Sequence, residues 1–236
     1  MKKAELYKEL YHKYNPDSIQ NFEHHVRQQF HGINFENKRI LEIGCGKGFL
    51  SLYIACFMNP AEVIALDEGE GAGSDRNVLE IFSENLSLLK PDNIKVVKQD
   101  IFKYENESFD IIIANNALHH ICEPGLLTSD SAAREKYIGL FEHIFSLIRP
   151  NGVLTIFEYS RNSIWRYLPS RKFKEIDWYL HPTRSEWLSV IKSAGFRVIA
   201  SKHTVPFRFR KVPFIINSVS LYFYLPTFYL LAKRST

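Results

Sequence analysis

Short apolar segments alternate along this chain with longer segments whose apolar residues recur at helical spacing. In residues 63–66 four consecutive apolar side chains predict a strand buried on both faces, as in a parallel sheet. Between the apolar run in residues 40–43 and the one in residues 63–66, the period of an amphipathic helix is followed by Leu50, Tyr53, Ile54 and Phe57. This alternation predicts an α/β fold with a mostly parallel sheet. The first five predicted strands are residues 40–43, 63–66, 94–98, 109–114 and 153–157.

The two ends of the chain add further predicted elements. Residues 1–36 are predicted to form two helices, and Asn15 followed by Pro16 is typical of a helix N-terminus. Thr183 and Glu186 have the spacing of a capping box, and Gly195 follows that helix as a stop signal. At 236 residues the chain suits a single domain. We divide it into N-terminal cap helices 1–36, a core 38–158, an insertion 159–195 and closing strands within 196–236, at 196–201 and 228–232.

Charge is distributed unevenly between the two parts of the chain. Residues 1–158 contain 16 Lys and Arg against 23 Asp and Glu, whereas residues 159–236 contain 14 against 3, a net charge of +11. The last third is therefore expected to face an anionic partner, although basic residues that merely solvate a surface are the alternative. The three cysteines lack metal-ligand spacing, and the N-terminus lacks a signal-peptide core, which fits the cytoplasm.

A glycine-rich turn follows the first predicted strand. Gly44, Gly46 and Gly48 have the spacing G-x-G-x-G, which differs from the G-x-G-x-x-G of dinucleotide-binding folds, and Glu42 lies in the end of the strand. Glycines let the backbone turn sharply and let a ligand approach without meeting a Cβ atom. The turn therefore predicts a nucleotide-type binding site.

Polar residues also end the later strands. Asp67 ends the second strand, 19 residues after Gly48, at a distance suited to an acid that accepts hydrogen bonds from ribose hydroxyls. An ordinary strand-end acid is the alternative. Asp100 follows the third strand, where a turn acid facing solvent is again possible. The fourth strand runs into the polar corner 115–120, which ends in His119 and His120.

Taken together, residues 38–158 resemble the S-adenosylmethionine-dependent methyltransferases with a Rossmann-like fold. The resemblance implies a three-layer αβα sandwich with a seven-stranded, mostly parallel sheet whose last strand is antiparallel. It implies S-adenosylmethionine as cofactor, with S-adenosylhomocysteine as product. The cofactor-binding residues that it implies are Glu42, Gly44, Cys45, Gly46 and Gly48 at the methionine end, Asp67 at the ribose, Asp100 and Ile101 at the adenine, and Asn115.

Catalysis in such an enzyme is an in-line displacement at a methyl group that is already reactive, so alignment alone could supply roughly 7–11 kcal/mol. A general base helps when the acceptor is a hydroxyl, and the candidates are His119, His120 and Glu158. Some relatives bind a divalent metal through an E-x-x-E-H pattern. This chain has Asn116 in place of a carboxylate there, so no hard-metal site is predicted.

The acceptor is expected to lie under the insertion 161–182, which is rich in arginine, lysine and aromatic residues. Arginines suit phosphate or carboxylate, and tryptophans suit rings or acyl chains. A small-molecule or lipid- or glycan-linked anionic acceptor is therefore predicted, with RNA as the alternative. A non-catalytic cofactor-binding protein and an NAD(P)-dependent oxidoreductase are the other classes. The apolar stretch 212–232 leaves peripheral membrane contact open.

Overall fold

The computed structural model describes residues 2–15, 17–69, 77–105, 108–121, 130–167, 178–205, 207 and 227–234. Seven strands form one sheet in the order β3-β2-β1-β4-β5-β7-β6. The strands are β1 Arg39–Ile43, β2 Glu62–Asp67, β3 Ile94–Lys98, β4 Phe109–Asn115, β5 Ile148–Tyr159, β6 Phe196–His203 and β7 Thr227–Arg234. The helices in the described part are α1 Lys3–Tyr14, α2 Ile19–Gln29, α3 Phe49–Phe57, α4 Val78–Leu89, α5 Leu118–Ile121, α6 Ser131–Leu147 and α7 Arg184–Ser193.

Strands β1 to β5 are parallel, and β7 enters antiparallel between β5 and β6. This confirms the predicted seven-stranded fold with its antiparallel last strand. β5 begins earlier than the predicted strand 153–157, at Ile148, so residues 149–152, whose Pro-Asn-Gly sequence predicts a turn, are already part of the strand. The register between β4 and β5 shifts between Phe109 and Ile111, and Asn151 adopts a left-handed φ of 65° in the same region. This irregularity in the pairing allows residues 149–152 to be part of the strand.

Helices cover both faces of the sheet because alternate strand residues point to opposite sides. Leu41 and Ile43 belong to a core with α6 and α7, in which the buried Trp187 ring meets Tyr137 edge-on. Ile40, which precedes Leu41 and points to the opposite side, belongs to the core formed with α2 and α3. Helices α1 and α4 complete that second face. The result is the predicted three-layer arrangement.

The predicted start of the second N-terminal helix is wrong. Asn15 ends α1, where its backbone N–H bonds to Tyr11 O at 3.0 Å. Ser18 caps α2 instead, because its Oγ accepts a hydrogen bond from Asn21 N at 3.2 Å. Asparagine is a good cap in general, but a serine three residues later competes for that role. Pro16 lies outside the described residues.

The capping box of α7 forms as predicted. Thr183 Oγ1 accepts from Glu186 N at 3.3 Å, and Thr183 N donates to Glu186 Oε2 at 2.6 Å. Gly195, with a φ of 90°, follows the helix. Within the part of the chain that the structure covers, no helix has the length and apolar character needed to cross a membrane. The predicted insertion residues 168–177 and most of the apolar stretch 212–232 lie outside the described ranges.

Candidate functional site

The glycine turn after β1 is built by backbone hydrogen bonds and left-handed residues. Gly44 N and Cys45 N both donate to Leu66 O, at 2.8 and 3.1 Å, so the turn is fastened to the end of β2. Gly44, Gly46 and Gly48 have φ values of 69°, 52° and 75°, a region that other residues rarely adopt. Gly48 is also closely packed, since a Cβ there would lie 2.4 Å from the Phe82 ring.

A cavity of about 450 Å³ opens beside this turn at the carboxyl ends of the parallel strands. In open α/β sheets this is the edge at which ligands bind. All nine residues predicted to bind the cofactor line it, and the structure therefore brings them together. They are Glu42, Gly44, Cys45, Gly46, Gly48, Asp67, Asp100, Ile101 and Asn115.

Asp67 connects the glycine turn to the loop after β2. Its Oδ2 accepts a hydrogen bond from Gly46 N at 2.8 Å, and its Oδ1 accepts one from Gly69 N at 2.8 Å. A carboxylate oxygen can accept more than one hydrogen bond, so each oxygen keeps capacity for a ligand hydroxyl. The residue is 8% exposed and lines the cavity.

Asp100 and Ile101 form the wall beyond β3. Asp100 caps the short 3₁₀ turn Ile101–Lys103, because its Oδ1 accepts from Phe102 N at 3.0 Å. The cap fixes the direction of both the carboxylate and the following backbone. Asp100 therefore has a structural role here in addition to its place in the cavity wall.

Glu42 is buried beneath the turn. Its carboxyl group accepts a hydrogen bond from the Ser51 hydroxyl of α3. Burial raises the pKa of Glu42 to about 8, against the lowering effect of the Ser51 hydrogen bonds. Glu42 can therefore be protonated near neutral pH.

Asn115 at the tip of β4 is held by a residue that the sequence did not single out. The side chains of Asn115 and Gln29 exchange two amide hydrogen bonds, at 2.7 and 3.1 Å. Gln29 also donates to Thr155 Oγ1 at 3.2 Å, which links α2 to β5. Gln29 is the last residue of α2 and is 2% exposed. No local motif marks this residue, because its partners lie far away in sequence.

His119 and Glu158 form a buried pair beside the cavity. His119 Nδ1 lies 2.7 Å from Glu158 Oε2, while Glu158 Oε1 accepts from Leu118 N at 3.1 Å. The two side chains are 3% and 0% exposed. Among the three predicted bases, only His120 lines the cavity, so the structure places the other two behind its wall.

Two further histidine rings stand next to His119. The His120 and His181 ring centroids lie 3.9 and 4.0 Å from that of His119. The pKa of His120 is lowered to about 4, mainly because burial removes water from the ring and secondly because His119 lies nearby. Burial, with His119 and His120 as smaller causes, lowers the pKa of His181 to about 3. Both rings are therefore neutral at physiological pH. His181 belongs to the aromatic and basic insertion, but nothing in the sequence distinguished it from its neighbours there.

Comparisons with known proteins agree with this geometry. The sequence model of a family described as "Methyltransferase domain" matches residues 34–195. The chain belongs to this methyltransferase family. The class of enzyme that the resemblance indicated is thereby shown, and its cofactor is S-adenosylmethionine.

Among solved structures, an S-adenosylmethionine-dependent methyltransferase from Mesorhizobium loti is similar to the chain with a TM-score of 0.58 and 17% identity. The alignment covers 85% of this chain and 93% of that one. At this identity the likeness concerns the fold.

Two curated relatives are also similar to this methyltransferase. A ubiquinone biosynthesis O-methyltransferase from Cereibacter sphaeroides is 25% identical over 211 residues, which cover 82% of this chain and 76% of the relative. A ribosomal protein L11 methyltransferase from Acetivibrio thermocellus is 40% identical over 77 residues. That match covers 33% of this chain, and the chain spans only 22% of that relative's length.

The cavity of this methyltransferase fits its cofactor. A Cβ atom on Gly46 would meet nothing within 4 Å, so the backbone there leaves open space at the cavity wall. Asp67 presents a carboxylate suited to hydroxyl groups. The donor set therefore combines an open backbone turn with an acid, which suits a ligand that carries both a charged amino-acid end and a ribose.

Proposed function

We propose that this methyltransferase transfers the methyl group of S-adenosylmethionine to a hydroxyl oxygen of an anionic acceptor that is a small molecule or is linked to a lipid or glycan. The buried pair of His119 and Glu158, beside the cavity, carries the proposal. A histidine oriented by a carboxylate is the usual form of a general base. Hydroxyl acceptors need such a base more than amine acceptors that are already uncharged.

The cofactor supplies an electrophilic methyl group. The acceptor oxygen forms the new C–O bond while the C–S bond breaks and its electron pair returns to sulfur. We assign the Nδ1 proton of His119 to the hydrogen bond with Glu158, which leaves Nε2 as the proton acceptor. Because His119 lies behind the cavity wall, we assign one water to carry the proton from the acceptor to Nε2. Glu158 then stabilises the resulting imidazolium, and its second oxygen is held by Leu118 N.

The basic insertion supports an anionic acceptor, although one of its arginines is already paired with a carboxylate of the protein. Arg161 is bonded to the Glu186 carboxylate, so it belongs to the fold of the insertion. Arg166 lies over the rings of Tyr167 and Tyr179, at 4.7 and 5.6 Å from their centroids. Both tyrosines are exposed, at 74% and 69%. A cation between exposed rings suits an acceptor with a negative group next to an apolar or aromatic part.

The O-methyltransferase relative, which aligns over most of the chain, supports oxygen as the atom that is methylated. The L11 methyltransferase match covers a third of the chain and gives no comparable support for a protein acceptor.

The experiment that tests this function is transfer of radiolabelled methyl from S-adenosylmethionine into a cell extract that is then separated into lipid, small-molecule, protein and RNA fractions. We expect label in the lipid or small-molecule fraction, in an anionic product whose methyl group resists release by base, as an ether does. Asp67→Asn provides the control with impaired cofactor binding. Label confined to protein or RNA would refute the acceptor class, and cofactor binding without any transfer would favour a non-catalytic role.

A further inference from the structure

Three buried side chains with metal-binding atoms meet at one point behind the cavity wall. His119 comes from α5, Glu158 from the end of β5, and His181 from the segment that follows the 3₁₀ turn Trp178–Leu180. Each offers one ligand atom, and the three atoms lie within 4.8 Å of one another. Their exposed fractions are 3%, 0% and 6%. Such burial is uncommon for a carboxylate and two imidazoles unless they are paired or bind a ligand.

His181 shows that hydrogen bonds within the described residues do not fully satisfy this group. Its Nδ1 is buried and has no hydrogen-bond partner in that part of the chain. An unsatisfied buried polar atom costs free energy, so a group that pairs with it is expected. An imidazole nitrogen of this kind is a common metal ligand.

We propose that His119, Glu158 and His181 form a binding site for a divalent first-row transition metal, with Zn²⁺ as the representative ion. Two imidazole nitrogens and one carboxylate oxygen suit Zn²⁺ and its neighbours in the series, whereas Mg²⁺ and Ca²⁺ prefer oxygen ligands throughout. This site is therefore of a different kind from the carboxylate-rich Mg²⁺ or Ca²⁺ site whose sequence pattern the chain lacks.

Three protein ligands leave at least one position on such an ion open. The single carboxylate neutralises only part of the charge of a divalent ion, so the open position favours an anionic oxygen, either hydroxide or an oxygen of an anionic ligand. The site adjoins His120 of the cavity wall.

The test is a metal titration of the full chain after treatment with a chelator, without cofactor or acceptor. Calorimetry with ZnCl₂ is combined with absorption spectroscopy of CoCl₂, whose visible bands report low coordination numbers. We expect one equivalent to bind. His181→Ala and Glu158→Gln should each raise the dissociation constant of the metal about 100-fold or more. Even changes to residues that only hydrogen-bond to metal ligands lower metal affinity about 10–100-fold. Glu158→Gln keeps an oxygen for Leu118 N, so it provides a result if His181→Ala fails to fold.

His31→Ala removes an exposed histidine and is the matched control, which should bind metal as the wild type does. The proposal is overturned if the wild type takes up neither ion, or if both ligand variants bind as tightly as His31→Ala. It is equally overturned if His120→Ala abolishes binding while His181→Ala retains it, because the ion would then lie in the cavity. These readouts do not involve methyl transfer, so their failure would leave the proposed function standing. The metal and the proposed base use the same side chains, His119 and Glu158, so the metal-bound protein and the protein in which His119 accepts a proton are two distinct states.

Discussion

The backbone N–H of Gly46 donates a hydrogen bond of 2.8 Å to Oδ2 of Asp67. This contact joins the glycine turn after β1 to the tip of β2, so the two parts of the cofactor cavity hold each other in position. The other oxygen of Asp67 holds Gly69 in the same way. The acid is therefore both part of the cavity wall and the residue that shapes it.

Asp67→Asn should weaken binding of S-adenosylmethionine by about 10- to 100-fold. The amide nitrogen of asparagine cannot accept a hydrogen bond, so one of the two backbone N–H groups loses its partner, and hydrogen bonds to charged groups contribute about 1.5–3 kcal/mol. Calorimetric titration with the cofactor measures the effect. Asp92→Asn, at an exposed position, is the control and should bind normally. Near-normal affinity in Asp67→Asn would contradict the assignment of this acid to the ribose.

Two glycine substitutions should have opposite effects on stability. Gly48→Ala is expected to lower the free energy of unfolding by at least about 1–3 kcal/mol, because φ is +75° and the new Cβ would lie 2.4 Å from the Phe82 ring. Gly139→Ala, in the interior of α6 with nothing within 4 Å, should raise it by up to about 1 kcal/mol. Urea unfolding of both variants measures the difference. Equal stability of the two would mean that the turn can relax around a side chain.

The sequence is most informative about this protein where short-range patterns determine the structure. The apolar run 63–66 and the spacing to Asp67 depend on neighbouring residues, and β2 with its terminal acid formed as expected. The antiparallel last strand has no such local pattern and was expected only from the family resemblance, whereas its position between β5 and β6 is known from the structure alone. The sequence did not predict the early start of β5, because Pro150-Asn151-Gly152 is typical of a turn outside a strand. In the structure a register shift against β4 accommodates these residues within β5.

The candidate site divides in the same way. Residues that end successive parallel strands are brought to one edge by the topology, so Asp67, Asp100 and Asn115 could be predicted. Gln29 could not, because its hydrogen bond to Asn115 joins residues 86 positions apart. His181 was hidden among many aromatic and basic residues, and only the packing of the insertion against His119 distinguishes it.

Glu42 should make the stability of the protein dependent on pH. Its pKa is raised from 4.5 to about 8 in the folded state by burial, so between these values the folded protein binds more protons than the unfolded chain. The free energy of unfolding therefore decreases as the pH rises through this window and levels off above it. The total effect is on the order of a few kcal/mol.

Glu42→Gln should remove this decrease while keeping an oxygen for the Ser51 hydroxyl. Urea unfolding at about pH 5 and about pH 8 compares the wild type, Glu42→Gln and the exposed control Glu36→Gln, which should behave as the wild type does. The same dependence on pH in all three proteins would show that Glu42 is ionised in both states.

Gln29→Ala should affect both stability and cofactor binding, because the residue joins α2 to the tip of β4. Removing the amide leaves the buried side of Asn115 without its partner, which is expected to cost about 1–3 kcal/mol. Because Asn115 lines the cavity, the cofactor dissociation constant should also rise several-fold. Thermal unfolding and calorimetry measure the two effects. Gln20→Ala, at an exposed position of the same helix, should change neither, and an unchanged affinity in Gln29→Ala would separate the N-terminal helices from the site.

His119 and Glu158 should act as one unit in methyl transfer. If Glu158 works through His119, then His119→Asn and Glu158→Gln should each slow transfer of labelled methyl by about 10²- to 10⁴-fold, the usual contribution of a general base. The double variant should be no slower than the worse single variant, because residues that act together are not additive. Two independent roles would instead multiply the two losses.

The affinity for the cofactor distinguishes this role from a general loss of structure. Among the described residues neither His119 nor Glu158 lines the cavity, whereas His120 does. The dissociation constant of S-adenosylmethionine should therefore stay near the wild-type value in His119→Asn and Glu158→Gln, and it should increase in His120→Asn. If all three variants lost affinity together with activity, the pair would be holding the corner of the sheet in place, and the base would have to be sought elsewhere on the cavity wall.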